Sequence, residues 1–214
     1  MPPTNRALLW DIFCAVIDNY GDVGVCWRLA VNLAERGQRV RLWLDDASAL
    51  QWIAPSGHAG VTVLPWQRPL QAADLPHETA DVLVEAFGCN LCDAVQARWS
   101  SQQQTNKQTG QTGLWLNLEY LSAESWIDEC HGLPSLQLNG LQKYFYFPGF
   151  TQRSGGVICE HSLADQRQQW QRDPQSRHQL FASFGLPPQE EQTQYISLFT
   201  YESAALPALL THWR

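Results

Sequence analysis

Two carboxylates flank a short glycine-containing segment near the start of the chain. Asp18 and Asp22 stand four residues apart in the string Asp-Asn-Tyr-Gly-Asp, which directly follows an apolar stretch. Beside a phosphate, two acids would add repulsion that a helix dipole, worth up to about 1 kcal/mol, could not clearly offset. The pair suits proton acceptance or a cationic ligand better. The simpler structural interpretation is that Asp18 opens a turn and Asp22 caps a helix.

The elements around this acidic loop predict where it lies in the fold. Residues 8–17 are typical of a buried strand, and residues 23–36 carry apolar side chains at helical spacing before Gly37 ends the helix. Between them, Gly21 and Gly24 allow a tight turn and the close approach of a ligand. Ligands of doubly wound sheets bind at such loops, outside the carboxyl ends of the strands. The acidic loop is therefore predicted to lie at a binding edge.

The alternation of strands and helices continues to about residue 150. Further strands are predicted at residues 40–44, 61–64, 81–87, 114–121 and 144–147. Strands that alternate with helices indicate parallel pairing in an α/β, doubly wound, Rossmann-like sheet. Residues 100–112 are polar, rich in Gln and without a period, which predicts a flexible surface insertion.

The pattern changes after residue 150, which predicts a domain boundary there. Residues 151–190 are expected to form a linker and a helical region that Pro174 interrupts, and residues 191–214 the start of a second domain. That start contains a predicted buried strand at 195–201 followed by a helix. A lone strand leaves its edges and faces uncovered, so we expect an incomplete domain and a C-terminal end that is loose or prone to aggregate.

Composition narrows the class of protein. The chain has 214 residues, 44% of them hydrophobic and ten of them Trp, which is ample material for a packed core. A net charge of −7 argues against nucleic-acid binding. With no signal peptide and no apolar run long enough to span a membrane, a cytoplasmic location is expected. The six cysteines lack a disulfide framework, and Cys89 and Cys92 lack a second ligand pair for zinc, so reduced thiols are expected.

Longer, irregular strings carry a family resemblance across nearly the whole chain. They are residues 10–14, 18–25, 27–30, 115–124, 131–135, 139–141, 147–150 and 196–202. In these strings the chain resembles EarP, the family of protein-arginine rhamnosyltransferases that modify elongation factor P.

The resemblance implies a glycosyltransferase of the GT-B type, in which two Rossmann-like domains face each other across a cleft. The first would bind mainly the acceptor, an arginine of elongation factor P, and the second mainly the donor, dTDP-β-L-rhamnose. It also implies inversion at the sugar, with no metal or cofactor. The family uses a glutamate and further donor ligands deeper in the second domain, beyond this chain, which bears on whether the chain alone is active.

The resemblance also assigns roles to individual residues. Asp22 would be the general base and Asp18 its partner in orienting the guanidinium. The implied substrate-binding residues are Asn19, Tyr20 and Gly21 in the acidic loop, and Phe199, Tyr201 and Glu202 at the thymine-nucleotide side. Asn117 and Glu119 follow a buried strand at its carboxyl end, where contact with the acceptor or the donor is expected. From the residues alone, Asn117 and Glu119 are equally consistent with capping the next turn.

Elementary chemistry agrees with the acidic loop as an arginine-activating site. A guanidinium has a pKa above about 12 and delocalised lone pairs, so it attacks poorly until a carboxylate polarises or deprotonates it. Two alternatives stay open. The chain could be a binding module that recognises elongation factor P without turnover, or a nicotinamide-dependent Rossmann enzyme, although it has no GxGxxG string.

Overall fold

The computed structural model describes residues 6–18, 20–67, 70–109, 112–187, 193–198, 200 and 203–213, apart from the side chains of residues 106–109. It divides into two units, Met1–Glu160 and His161–Arg214. The boundary predicted near residue 150 falls inside the first unit. That residues 191–214 begin a nucleotide-sugar domain stays a prediction.

The first unit is built from seven strands and four helices among its described residues. The strands are Leu9–Cys14 (β1), Arg39–Leu44 (β2), Val61–Pro65 (β3), Val82–Ala86 (β4), Leu114–Leu118 (β5), Pro134–Leu136 (β6) and Gln142–Tyr146 (β7). The helices are Gly21–Glu35 (α1), Leu50–Ile53 (α2), Asp93–Thr109 (α3) and Ile127–Cys130 (α4), and Ala72–Asp74 forms a 3₁₀ turn.

The strands form one mixed sheet in the order β3-β2-β1-β4-β5-β7-β6. All neighbours pair parallel except β6, which runs antiparallel to β7. The strands predicted before residue 150 are confirmed, but β1 and β5 end about three residues earlier than expected, at Cys14 and Leu118. Beyond these residues the ladders with β2, β4 and β7 have ended, and the backbone turns into loops.

Helices cover both faces of this sheet, which confirms the doubly wound α/β architecture. Successive residues of a strand point to opposite faces. Ile12 packs with Val23 and Ala30 of α1, whereas its neighbour Phe13 packs in a second cluster with Trp99 of α3.

An acid interrupts the apolar sequence of β1 and is neutralised inside the sheet. Asp11 lies directly opposite Arg41 of β2. The two side chains form a bidentate ion pair, with Nε–Oδ1 and Nη2–Oδ2 distances of 2.5 and 2.7 Å. The Trp43 indole N–H also donates to Asp11 at 3.1 Å. The carboxylate is buried but fully partnered, as a buried charge requires.

The polar segment 100–112, predicted as a flexible insertion, is mostly helical, and that prediction is wrong. Residues up to Thr109 continue α3. The helix is anchored by Trp99, which is 4% exposed, and the Gln-rich turns that follow have good helix propensity without needing an apolar face. Gln103 accepts a hydrogen bond from the Gly113 backbone N–H at 3.0 Å, which ties the helix to the start of β5.

The second unit is helical in its described residues, with Leu163–Arg172 (α5), Pro174–Ser183 (α6) and Leu206–His212 (α7). The interruption at Pro174 is confirmed: Asp173 caps α6 by accepting from the Gln175 backbone N–H at 2.9 Å. The strand predicted at 195–201 is wrong where the structure describes it, because residues 193–198 and 200 are irregular and Ile196 is exposed. The described part of this unit offers no strand for them to pair with.

Two further sequence expectations concern membranes and thiols. All six cysteines are free, as predicted. None of the helices in the described ranges combines the length and apolar character that crossing a bilayer requires.

Candidate functional site

The strand order reverses between β1 and β4, and the candidate site lies at this point. In open α/β sheets, ligands bind outside the carboxyl ends of the strands where the order reverses. The loop after β1 contains Asp18 and leads into α1, whose first turn contains Asp22, while β4 and then β5 follow β1 in the sheet. Topology therefore brings three strand ends to one place.

Asp22 is the most constrained residue of this site. It lies in the first turn of α1 with 1% of its surface exposed. Its Oδ2 accepts from the backbone N–H groups of Ile17 and Asp18, at 2.9 and 3.0 Å, and its Oδ1 accepts from the Tyr120 hydroxyl at 3.0 Å. The capping interpretation is wrong, because the N-cap position is Tyr20 and Asp22 accepts from the loop before the helix.

Tyr120 is a site residue that the sequence prediction missed. It follows the end of β5 by two positions, and 50% of its surface is exposed. Burial of its hydroxyl, together with the hydrogen bond to Asp22 and the nearby charge of that carboxylate, raises its pKa to about 12. At neutral pH Tyr120 is therefore a hydrogen-bond donor to Asp22. The signal that could have revealed it is the strand order, which places the end of β5 one strand beyond the reversal point.

Gly21 allows Asp18 to lie against the start of α1. A Cβ at position 21 would collide with the Oδ2 atom of Asp18. Asp18 is half-buried, whereas Tyr20, the N-cap residue directly before Gly21, is exposed. The glycine thus brings the second carboxylate close to the helix that carries Asp22.

Asn117 and Glu119 bond to each other, and neither caps the next turn. The Asn117 side-chain amide donates to Oε1 of Glu119, and the buried Asn117 Oδ1 has no partner among the described residues. Asn117 lies on the α3 face of the sheet with Trp115, while Tyr120, three positions on, reaches Asp22 on the α1 side. No hydrogen bond in the described part of the chain joins Asn117 or Glu119 to Asp22.

A buried ion pair lies next to Asn117 on the same face. Glu85 of β4 is 1% exposed and stands opposite Asn117 in the strand pairing. Its Oε2 accepts from Lys143 of β7 at 2.9 Å, and its Oε1 from the Asn90 backbone N–H at 3.1 Å. Lys143 also lies over the Trp115 ring, 5.5 Å from the ring centroid. Both charges are satisfied inside the protein, which makes this pair a structural one.

A neutral thiol lies beneath the acidic site. Cys26 is fully buried one helical turn after Asp22. A hydrogen bond with Cys14, together with burial, raises the pKa of the Cys26 thiol well above its ordinary value. The floor of the site therefore adds no charge beside the carboxylates.

Asn19, Phe199, Tyr201 and Glu202 lie outside the described residues. Arg28, on α1, forms a bidentate pair with Glu160 at 2.7 and 3.0 Å, which raises the pKa of Arg28 and lowers that of Glu160. Among the described residues, no three His, Cys, Asp or Glu side chains are placed to hold a metal ion.

The raised pKa of Tyr120 predicts a specific loss of stability in alkali. Its pKa is higher in the folded chain than the unfolded value of about 10, so its contribution is complete below about pH 10 and is lost as the pH rises toward about 12. We expect the urea midpoint to fall more steeply over this window in the wild type than in Tyr120→Phe, which lacks the titrating group. Parallel urea titrations at several alkaline pH values measure this, and equal slopes would contradict it.

Comparison with known proteins identifies a family. A family model described as "Elongation-Factor P (EF-P) rhamnosyltransferase EarP" matches residues 10–214. A protein-arginine rhamnosyltransferase of Shewanella oneidensis is 46% identical over 223 positions, which cover 100% of this chain and 55% of the relative. One of Pseudomonas aeruginosa is 45% identical, covering 96% of this chain and 54% of the relative, and one of Neisseria meningitidis is 42% identical over 72% of this chain and 39% of the relative.

The chain spans about half the length of the curated relatives it matches. Among solved structures, the calicheamicin glycosyltransferase CalG4 matches with a TM-score of 0.31 and 12% identity, over 84% of this chain and 42% of that one. That likeness is too distant to define the fold.

Proposed function

Because the chain belongs to the EarP family of elongation factor P rhamnosyltransferases, we propose that it carries the acceptor-activating half of an inverting glycosyltransferase. The enzyme would transfer L-rhamnose from dTDP-β-L-rhamnose to an arginine of elongation factor P. The observation that carries the proposal is the Asp22 carboxylate, buried and held by three donors at the reversal point of the sheet.

The hydrogen bonding of Asp22 supports its role as a general base for arginine. Both hydrogen bonds from the loop reach Oδ2, whereas Oδ1 accepts only the Tyr120 hydroxyl among the described residues. A carboxylate oxygen has two lone-pair positions, so Oδ1 retains capacity for an N–H of a guanidinium. Fixing the base before the substrate arrives avoids reorganisation during the reaction.

The proposed reaction is a single displacement. A guanidinium nitrogen attacks the anomeric carbon, the bond from that carbon to the diphosphate oxygen breaks, and the nitrogen proton passes to Asp22. Asp18, held near the start of α1, would pair with the same guanidinium and fix its orientation. The proposal includes no metal, and the displaced diphosphate would be stabilised by a second domain of the GT-B type. Substrate contacts of Phe199, Tyr201 and Glu202, of the loop residues Asn19, Tyr20 and Gly21, and of Asn117 and Glu119 stay predictions, as does a cytoplasmic location.

A chimera tests the proposal. It joins this chain to the part of the Shewanella oneidensis relative that the match leaves uncovered, so that a protein of full family length is assayed. Mixed with elongation factor P and dTDP-β-L-rhamnose, the chimera should add the mass of one deoxyhexose to the acceptor, on arginine. The proposal is overturned if a folded chimera adds no mass while the relative does. Acceptor binding without a mass gain would indicate a binding module instead.

Gly21→Ala should separate substrate binding from stability. The added methyl group displaces the Asp18 carboxylate, while alanine favours the helix by up to about 1 kcal/mol. We expect the melting temperature of the chain to be unchanged or higher. In the chimera, the KM for elongation factor P should rise about tenfold, because one charge-assisted contact to the acceptor is lost. Gly24→Ala is the matched control, because its added Cβ would meet only Ile53 Cδ1, at 4.0 Å. An unchanged KM in Gly21→Ala would contradict the role of Asp18.

A further inference from the structure

The turn that follows β4 has an unusual residue at its tip. The Cys89 backbone N–H donates to the Ala86 carbonyl at 3.2 Å, which closes a tight turn over Phe87 and Gly88. Both central residues have positive φ, 55° for Phe87 and 62° for Gly88. This is the φ pattern of a type I′ turn, in which Asn-Gly is the favoured pair. A bulky aromatic residue is disfavoured at positive φ, so local conformational preference does not explain Phe87.

Phe87 is held in place by contacts to the end of β5. Its backbone N–H donates to the Leu118 carbonyl at 2.7 Å. Its ring stacks on the ring of Tyr120, with centroids 4.3 Å apart and planes 13° from parallel. Because the Tyr120 hydroxyl donates to Asp22, contacts run without interruption from the turn after β4, through the end of β5, to the carboxylate in α1.

We propose that Phe87 is a positioning residue for rhamnosyl transfer, whose ring fixes Tyr120 at the angle from which its hydroxyl donates to Asp22. Half of the Tyr120 surface is exposed, so without the stacked ring the side chain could swing into solvent and leave Asp22 with its backbone donors alone. Strained backbone persists where surrounding contacts impose it, commonly at active sites. The effect on turnover rests on the proposed function, whereas the effect on Tyr120 does not.

A competing explanation is that Phe87 only fills space. It is half-buried and packs beside the cluster that contains Ile12 and Val23. The two explanations are separated by Phe87→Asn, because asparagine suits positive φ and keeps the turn but has no ring to stack. Phe87→Gly, which tolerates the same backbone, is a second variant should asparagine impair folding. Phe87→Tyr retains the ring, and Phe184→Asn removes an exposed aromatic residue of the second unit as a matched control.

The first readout needs no substrate. In this chain, ¹³C-labelled tyrosine gives a Tyr120 signal that is identified by its loss in Tyr120→Phe. The groups that face this phenol are Asp22, Asp18 and Cys14, and none of them is altered. We expect the Tyr120 signal to stay in its protonated form at about pH 11 in the wild type and to titrate by about pH 11 in Phe87→Asn, toward the ordinary tyrosine value of about 10.

The second readout is turnover by the chimera. Phe87→Asn should lower kcat about tenfold and leave the KM for elongation factor P within about twofold, because a residue that acts only by positioning Tyr120 makes no contact with the acceptor. Phe87→Tyr should restore kcat to within about twofold of the wild type, and Phe184→Asn should not change it.

The inference is overturned if Tyr120 titrates identically in the wild type and in both ring-deleting variants, or if Phe87→Tyr loses as much kcat as Phe87→Asn. A folded wild-type chimera that adds no mass while the relative does would overturn the proposed function alone, because the titration of Tyr120 decides the positioning role independently.

Discussion

Replacing Asp22 with asparagine is expected to lower the turnover of the chimera by about 10² to 10⁴-fold, the usual contribution of a general base. The side-chain oxygen of asparagine can still accept from the Ile17 and Asp18 backbone N–H groups, so the loop should keep its shape. What asparagine cannot do is take the proton from arginine. Intact-mass kinetics on elongation factor P, with circular dichroism to monitor folding, measure the effect.

Two controls define what the Asp22 result means. Asp165→Asn changes an exposed acid in the first turn of α5 and should leave the rate unchanged. Asp18→Asn should raise KM for the acceptor more than it lowers kcat, because Asp18 is proposed to orient the guanidinium. If Asp18→Asn instead abolishes turnover while Asp22→Asn retains it, the two roles are reversed.

Removing the cation of the buried ion pair is expected to have the largest effect on stability. Lys143→Met leaves the Glu85 carboxylate 1% exposed with only the Asn90 backbone N–H as a hydrogen-bond donor among the partners described above. Stranding one member of a buried pair costs about 3–5 kcal/mol of unfolding free energy. Urea denaturation of this chain, followed by tryptophan fluorescence, measures the loss.

The double variant Glu85→Gln/Lys143→Met tests whether the unpaired Glu85 carboxylate causes the loss of stability in Lys143→Met. It removes both charges while glutamine keeps an oxygen for the Asn90 backbone N–H. We therefore expect most of the stability to return, since replacing a whole buried pair is often neutral. If Lys143→Met alone costs less than about 1 kcal/mol, the pair is far better solvated than its burial indicates.

The sheet could be predicted because the sequence of each strand and of the residues beside it is enough to indicate a strand. Residues 40–44 and 81–87 are short and mostly apolar, and an acid or a glycine, Asp45 or Gly88, follows each of them. The acidic loop could be placed for the same reason: it follows such a strand and precedes a helix with a clear period. Polar character misled the prediction for residues 100–109, where Trp99 anchors one end of a helix whose later turns need no buried face.

What could not be predicted depends on neighbours distant in sequence. Tyr120 meets Asp22 across 98 positions, so only the strand order could reveal the pair. Phe87 occupies a conformation that its own propensity opposes, and its ring contact with Tyr120 offsets that preference. Residues 195–198 have the composition of a strand but no neighbouring strand in the described part of their unit. Composition indicates which segments can pair, and pairing itself needs a partner.

The ion pair between Asp11 and Arg41 has a consequence for how the sheet assembles. Parallel strands joined by a helix must find each other without a short turn to align them, which makes such pairings slow. A slip of one residue would leave the Asp11 carboxylate facing Val40 or Leu42 and would send every core side chain of β2 to the wrong face. A misaligned pairing would therefore leave the Asp11 carboxylate without its cation, a free-energy cost that the correct alignment does not have. The correct alignment also fixes where β1 ends and the acidic loop begins.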